Sequence, residues 1–102
     1  MAKDIMTFKM ADELIAEFEE YEKSGEQSDE KNLEFAERII RFEETLNALG
    51  IDEGLDTVDG MAEHIKNEPS VVYRWLEERE MDWYDKIRGQ KMKETTYDTK
   101  RL

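Results

Sequence analysis

The sequence predicts an all-α protein, in which an N-terminal antiparallel helical hairpin precedes two helices joined by a tight turn and a short flexible C-terminal tail. Three observations predict this class. Apolar residues recur at spacings of three and four through most of the 102 residues, which is the period of a helix with one buried face. Glycine and proline number only five and one. No segment alternates apolar and polar residues as a half-buried strand does.

The first helix is predicted from about Thr7 to Lys23. Its apolar residues stand three or four positions apart and form one stripe, which consists of Ala11, Leu14, Phe18 and Tyr21. A polar break follows at Ser24. Gly25 in that break is suited to ending the helix, because glycine adopts the left-handed conformation at little cost.

The second helix is predicted to begin after Ser28, a good N-cap residue, and to end at Leu49 before Gly50. Its apolar stripe is wide and includes Leu33, Phe35, Ala36, Ile39, Ile40, Phe42, Leu46 and Leu49. The short connection predicts that the first two helices pack antiparallel. The wide stripe must also face the rest of the chain, another subunit, or both. Residues 1–50 are therefore predicted to form an acidic hairpin for packing or oligomerisation.

The charge of the protein is concentrated in its first half. The net charge is −12, and residues 1–57 hold 17 acidic and 6 basic side chains, whereas residues 58–102 hold 10 and 9. Residues 91–102 are predicted to be a basic, flexible tail. Because an acidic surface repels nucleic acid, any contact with DNA has to come from the second half.

Catalytic and metal-binding residues are not evident in the sequence. Cysteine is absent and His64 is the single histidine, which favours neither a thiolate metal site nor a catalytic group of several oriented residues. Adjacent glutamates such as Glu43 and Glu44 point about 100° apart on a helix and do not converge. We expect a protein that is not an enzyme, has no cofactor and has no membrane span. The absence of cysteine and of an apolar leader at the N-terminus favours the cytoplasm.

Residues 57–78, TVDGMAEHIKNEPSVVYRWLEE, form the most informative segment. A helix ending near Ile65 carries the small residue Ala62, which permits a close crossing. The turn is predicted at Lys66-Asn67-Glu68, with Asn67 able to adopt the left-handed conformation. Pro69 suits the first turn of the next helix because it needs no amide donor there. That helix is predicted to direct Val72, Trp75 and Leu76 inward and Ser70, Val71, Tyr73 and Arg74 outward.

This pattern resembles the bacterial and phage helix-turn-helix, in which a proline-serine start leads into an arginine-tryptophan-leucine end, here Pro69-Ser70 and Arg74-Trp75-Leu76. That family usually has glycine and an apolar residue where this chain has Lys66 and Asn67. With its flanks, residues 55–91 resemble the DNA-recognition region of phage terminase small subunits. The helix-turn-helix unit is accordingly assigned to residues 51–90.

The resemblance implies that the second helix lies in the major groove of double-stranded DNA. It implies a set of contact residues, which consists of Lys66, Ser70, Tyr73, Arg74, Lys86, Arg88, Lys91 and Lys93. Arginine can pair with guanine, whereas serine, tyrosine and lysine mainly reach phosphates. The resemblance further implies a homo-oligomer, a motor subunit as protein partner, and the host cytoplasm if the protein is viral.

Two other functions remain open from the sequence. The acidic first half could imitate the charge of DNA and occupy a basic surface on a host nucleic-acid-binding protein, as an inhibitor does. The same helix-turn-helix could instead serve a small transcription regulator. Neither the DNA sequence recognised nor the oligomeric state follows from the residues.

Overall fold

The computed structural model describes residues 6–51 and 54–100, with side chains as far as Arg88. Four helices follow one another: α1 (Phe8–Ser24), α2 (Asp29–Ala48), α3 (Val58–Asn67) and α4 (Pro69–Lys100). The described residues contain no β-strand, so the predicted all-α class is confirmed. The backbone of α4 is helical through most of the predicted tail, while the side chains of residues 91–102 lie outside the described part of the chain.

Helix boundaries follow local signals that the sequence displays. The hydroxyls of Thr7, Ser28 and Thr57 each accept the backbone N–H three residues later, which satisfies one free donor at each N-terminus. Gly25 and Gly50 have φ of 74° and 86°, the left-handed conformation that terminates α1 and α2.

The core joins both halves of the chain into one packed body. α1 runs antiparallel to α2, where the rings of Phe18 and Phe35 meet at 5.2 Å. α1 also runs antiparallel to α4: Phe8 contacts Trp83 at a ring distance of 5.1 Å, and Ser70 hydrogen-bonds Glu22 at the other end. α2 packs most extensively on α3 and α1 on α4. The wide apolar face of α2 is therefore covered in large part by the second half of the chain.

The corner between α3 and α4 is tighter than the sequence predicts. Lys66 and Asn67 are helical, and only Glu68 interrupts the helices, with φ −149° and ψ 65°. No residue other than glycine has a positive φ within the described ranges, so the corner does not use the left-handed conformation that Asn67 tolerates. The physical reason is Pro69, whose ring disfavours the helical conformation in the residue before it. The corner therefore falls at Glu68, one residue later than a left-handed Asn67 would place it.

Hydrogen bonds hold this corner on both sides. The N–H of Glu68 donates to the carbonyl of His64 at 2.8 Å, which completes the last turn of α3. The carbonyl of the same Glu68 accepts from the N–H of Val72 at 3.2 Å, which begins α4. A single residue thus ends one helix and starts the next.

Candidate nucleic-acid interface

The first turns of α4 present three different surfaces. Val72 and Leu76 are buried in the core with Ile65 of α3, as predicted. Trp75 is half-buried, and its ring meets that of Phe42 edge-on at 6.1 Å. Arg74 is exposed, because its position on the helix is opposite the buried stripe.

Arg74 and Lys66 are the exposed cations within six residues of Glu68 in the sequence. Within residues 6–51 and 54–88, no ion pair is found for either of them. Ser70 is also exposed, and its hydroxyl donates to Glu22 Oε2 at 2.9 Å. Its oxygen keeps the capacity to accept a further hydrogen bond. We call these three exposed residues, which lie within six positions of Glu68 in the sequence, the corner site.

Tyr73 does not face outward as predicted, because α1 packs along that side of α4. The side chain is half-buried, and its hydroxyl donates to Glu77 Oε2 at 2.8 Å. The hydrogen bond to Glu77, with burial and the charges of Glu77 and Glu19, raises the pKa of Tyr73 to about 12. The tyrosine is therefore engaged with carboxylates and does not belong to the corner site.

The other predicted contact residues lie far from the corner. Lys86 and Arg88 follow Arg74 by 12 and 14 residues, or about 18–21 Å along a helix. The Lys86 ammonium lies beside Gly50, where a positive charge stabilises the carbonyl end of α2. Arg88 pairs with Asp85 at 3.4 Å and lies over the Tyr84 ring at 5.1 Å. The side chains of Lys91 and Lys93 lie outside the described residues.

Acidic side chains surround the corner site, a feature that the residue pattern did not reveal. Glu68 forms the corner itself, Glu77 and Glu78 follow on α4, and Glu22 approaches from α1. The charge totals of the two halves predicted an acidic hairpin. They did not predict that α1 packs against α4, because this tertiary contact joins residues that are far apart in the sequence. A phosphate group is repelled by these carboxylates, so the surroundings of the corner site oppose the approach of an anion.

A groove of about 400 Å³ opens beside the corner, between α3, α4 and the connector before α3. Its apolar lining consists of Leu55, Met61, Val71, Val72 and Trp75. The charged or titratable residues that line it are Glu43, Asp56, His64 and Glu68. Sequence reasoning did not find this groove, because its walls come from four separate segments: α2, which contributes Glu43, the connector, α3 and α4.

The carboxyl group of Glu80 on α4 interacts with that of Asp12 on α1. Burial, followed by the charges of Asp12 and Glu77, raises the pKa of Glu80 from 4.5 to about 7. The Glu80 carboxyl therefore binds its proton more tightly in the folded protein than in the unfolded chain. The resulting stabilisation is complete below about pH 4.5 and is lost as pH rises through about 7.

We expect Glu80→Gln to raise the free energy of unfolding by about 1 kcal/mol near pH 8, a value kept small because solvent screens a partly exposed carboxylate. The amide removes the charge repulsion while keeping the shape of the side chain. The gain should shrink toward zero near pH 5 as the wild-type carboxyl becomes protonated. Urea denaturation at both pH values measures it. Glu78→Gln, on the exposed side of α4, is the control, and an equal gain at both pH values would contradict the assignment.

Neither a membrane-spanning helix nor a metal cluster is found in residues 6–51 and 54–88. No helix among them is long and apolar enough to cross a membrane. No group of three or more histidine, aspartate or glutamate side chains in the described ranges is arranged to hold a metal ion.

Comparison with known proteins returns no match. No protein-family model matches the chain, and neither a curated protein nor a solved structure matches it. Function is therefore argued from the side chains and the fold.

Proposed function

We propose that this protein recognises double-stranded DNA through the corner between α3 and α4 and acts as an assembly subunit of the phage terminase small subunit kind. The observation that supports it best is the exposure of Arg74 on the second turn of a helix that starts immediately after a tight corner. Ile65, Val72 and Leu76 are buried together behind it, which fixes the direction of the arginine. Helices of this kind place their early residues against base edges.

Each residue of the corner has a defined chemical role in this proposal. Arg74 pairs with the O6 and N7 atoms of guanine, and the exposed Val71 beside it contacts a thymine methyl group. Lys66 and Ser70 contact phosphates and fix the register. One such set binds weakly in the acidic surroundings. A homo-oligomer that presents several corners to one duplex raises the avidity, and a separate motor subunit then receives the marked DNA.

Arg74→Ala is expected to weaken binding to duplex DNA by about 5- to 150-fold, because a bidentate arginine–guanine pair is worth about 1–3 kcal/mol. Fluorescence anisotropy with a labelled mixed-sequence duplex, at about 50 mM and 200 mM salt, measures the loss and the salt slope. The matched control is Arg41→Ala, which removes an exposed arginine of α2 with no place in the corner site.

Two results would contradict the proposal. One is an absence of binding by the wild-type protein at the lower salt concentration, and the other is an equal loss of affinity in the Arg41 and Arg74 variants. Equal loss would show that net charge alone governs the interaction. Light scattering then distinguishes a transcription regulator from a terminase small subunit. Regulators are commonly dimers, whereas terminase small subunits commonly form rings of many subunits.

A second candidate function is an acidic inhibitor that occupies a basic surface of a nucleic-acid-binding protein. It is favoured by the exposed carboxylates of α1 and α2, of which only Glu17 and Glu19 form ion pairs, with Arg38 and Lys23, in the part of the chain that the structure describes. Such a protein displaces duplex DNA from its target and does not bind DNA itself. The anisotropy measurement, repeated with a basic DNA-binding protein already on the duplex, distinguishes displacement from direct binding.

A further inference from the structure

The groove between α3, α4 and the connector exposes apolar side chains. Leu55 and Val71 are 59% and 53% exposed, and both flank the half-buried Trp75. Exposed aliphatic side chains grouped around a tryptophan are typical of a surface that binds a partner. The groove is large enough for one or two side chains of an incoming segment.

The charge of the groove limits what can occupy it. Glu43, Asp56 and Glu68 contribute carboxylates, whereas no lysine or arginine is among the described residues that line it. His64 is the one possible cation there, and its Nδ1 lies 3.1 Å from Glu68 Oε2. An occupant that complements this groove therefore presents an apolar side chain flanked by positive charges.

The chain itself contains a segment of this chemistry. Residues 85–102 hold six basic and three acidic side chains, against the −12 of the whole sequence. Within them, Lys91-Met92-Lys93 places one flexible apolar residue between two lysines. Methionine is well suited to filling an irregular apolar groove.

This segment cannot reach the groove of its own molecule. α4 is continuous from Pro69 to Lys100, so Met92 lies 20 residues, or about 30 Å, from Val72 along a straight helix. Tyr84 of α4 lies beside Phe8 at the start of α1. The C-terminal end of α4 extends about 24 Å beyond Tyr84. The segment is thus carried away from the groove on a long helix.

We propose that the groove of one molecule binds Lys91-Met92-Lys93 of a second copy. Met92 packs against the apolar lining near Trp75, and the two lysines pair with Asp56 and Glu68. Groove and segment are different surfaces, so the contact is heterologous and joins molecules head to tail in a ring or a filament. The proposal does not depend on DNA binding, and either can fail without the other.

The test combines two full-length variants that each lose one half of the contact. Leu55→Asp places a charge in the groove without touching a residue assigned to DNA contact, and the triple change Lys91→Glu, Met92→Asp, Lys93→Glu removes the complementary segment. Sedimentation velocity should show wild-type assemblies above the 12.2 kDa monomer that dissociate as salt rises. Each variant alone should associate at least about tenfold more weakly. An equimolar mixture should form a one-to-one pair, because one partner keeps the groove and the other keeps the segment.

Met81→Asp is the control, since Met81 is 63% exposed on α4 and lies outside both groove and segment. It should assemble like the wild type. Circular dichroism of each variant checks that the helices are intact. A wild-type chain that stays at 12.2 kDa at millimolar concentration overturns the proposal. Variants that assemble normally, or a mixture that gives no pair, overturn it equally and assign the groove or the segment to another partner.

Discussion

Phe42→Ala should lower the free energy of unfolding by about 3–5 kcal/mol, the range for removing a buried aromatic ring. The side chain is fully buried, and its ring lies 6.1 Å from that of Trp75 and 6.0 Å from that of Trp83. Its removal leaves a cavity where α2 meets α4. A domain of this size has a total stability of only about 5–15 kcal/mol, so the variant should approach the limit of folding at 37 °C.

Urea denaturation followed by circular dichroism measures this loss without relying on the two tryptophans, whose own surroundings change. Leu33→Ala is the matched control, because Leu33 stands on the same helix and is 42% exposed. It should cost less than about 1 kcal/mol. Comparable losses in the two variants would show that Phe42 does not hold α2 to α4.

Leu76→Ala is the second large effect, with an expected loss of about 2–5 kcal/mol. Leu76 is fully buried on the stripe of α4 that also includes Val72, behind the exposed Arg74. Because the same packing orients the corner, the variant should bind DNA more weakly even at temperatures where it is folded. Met81→Ala is the control on the same helix, and its side chain is largely exposed.

Thermal denaturation and the DNA anisotropy assay, run side by side on both variants, check this expectation. If Leu76→Ala loses stability but binds DNA like the wild type, the burial of Leu76 does not position Arg74. In that case the corner site acts without support from the core.

The helices and their ends were predictable because their causes are local. Ser28 caps the start of α2 and Gly25 ends α1 through contacts within a few residues. The apolar residues of α2 recur in the sequence at the period of a helix. The corner lies within the predicted turn Lys66-Asn67-Glu68, but it is confined to Glu68 because Lys66 and Asn67 remain helical. The prediction rested on the turn chemistry of Asn67, while the steric effect of Pro69 on Glu68 decided the outcome.

The candidate site was predictable only in part, because its environment is made by contacts between distant segments. The exposure of Arg74 follows from the spacing of the buried residues beside it. The engagement of Tyr73 by Glu77, near Glu19 of α1, depends on which helix packs against α4 and at what rotation. The groove forms only where α2, the connector, α3 and α4 meet. The helix-turn-helix resemblance and its DNA contacts stay predictions that the experiments above test.

The pairing of α1 with α4 has a consequence for how the chain folds during synthesis. Phe8 and Trp83, whose rings touch, are separated by 75 positions in the sequence. Such non-local contacts slow the search for the native state. While the ribosome is still adding α4, the apolar stripe of α1 lacks one of the two helices against which it is finally buried. The nascent chain is therefore most exposed to aggregation just before α4 emerges, and its dense negative charge works against association at that stage.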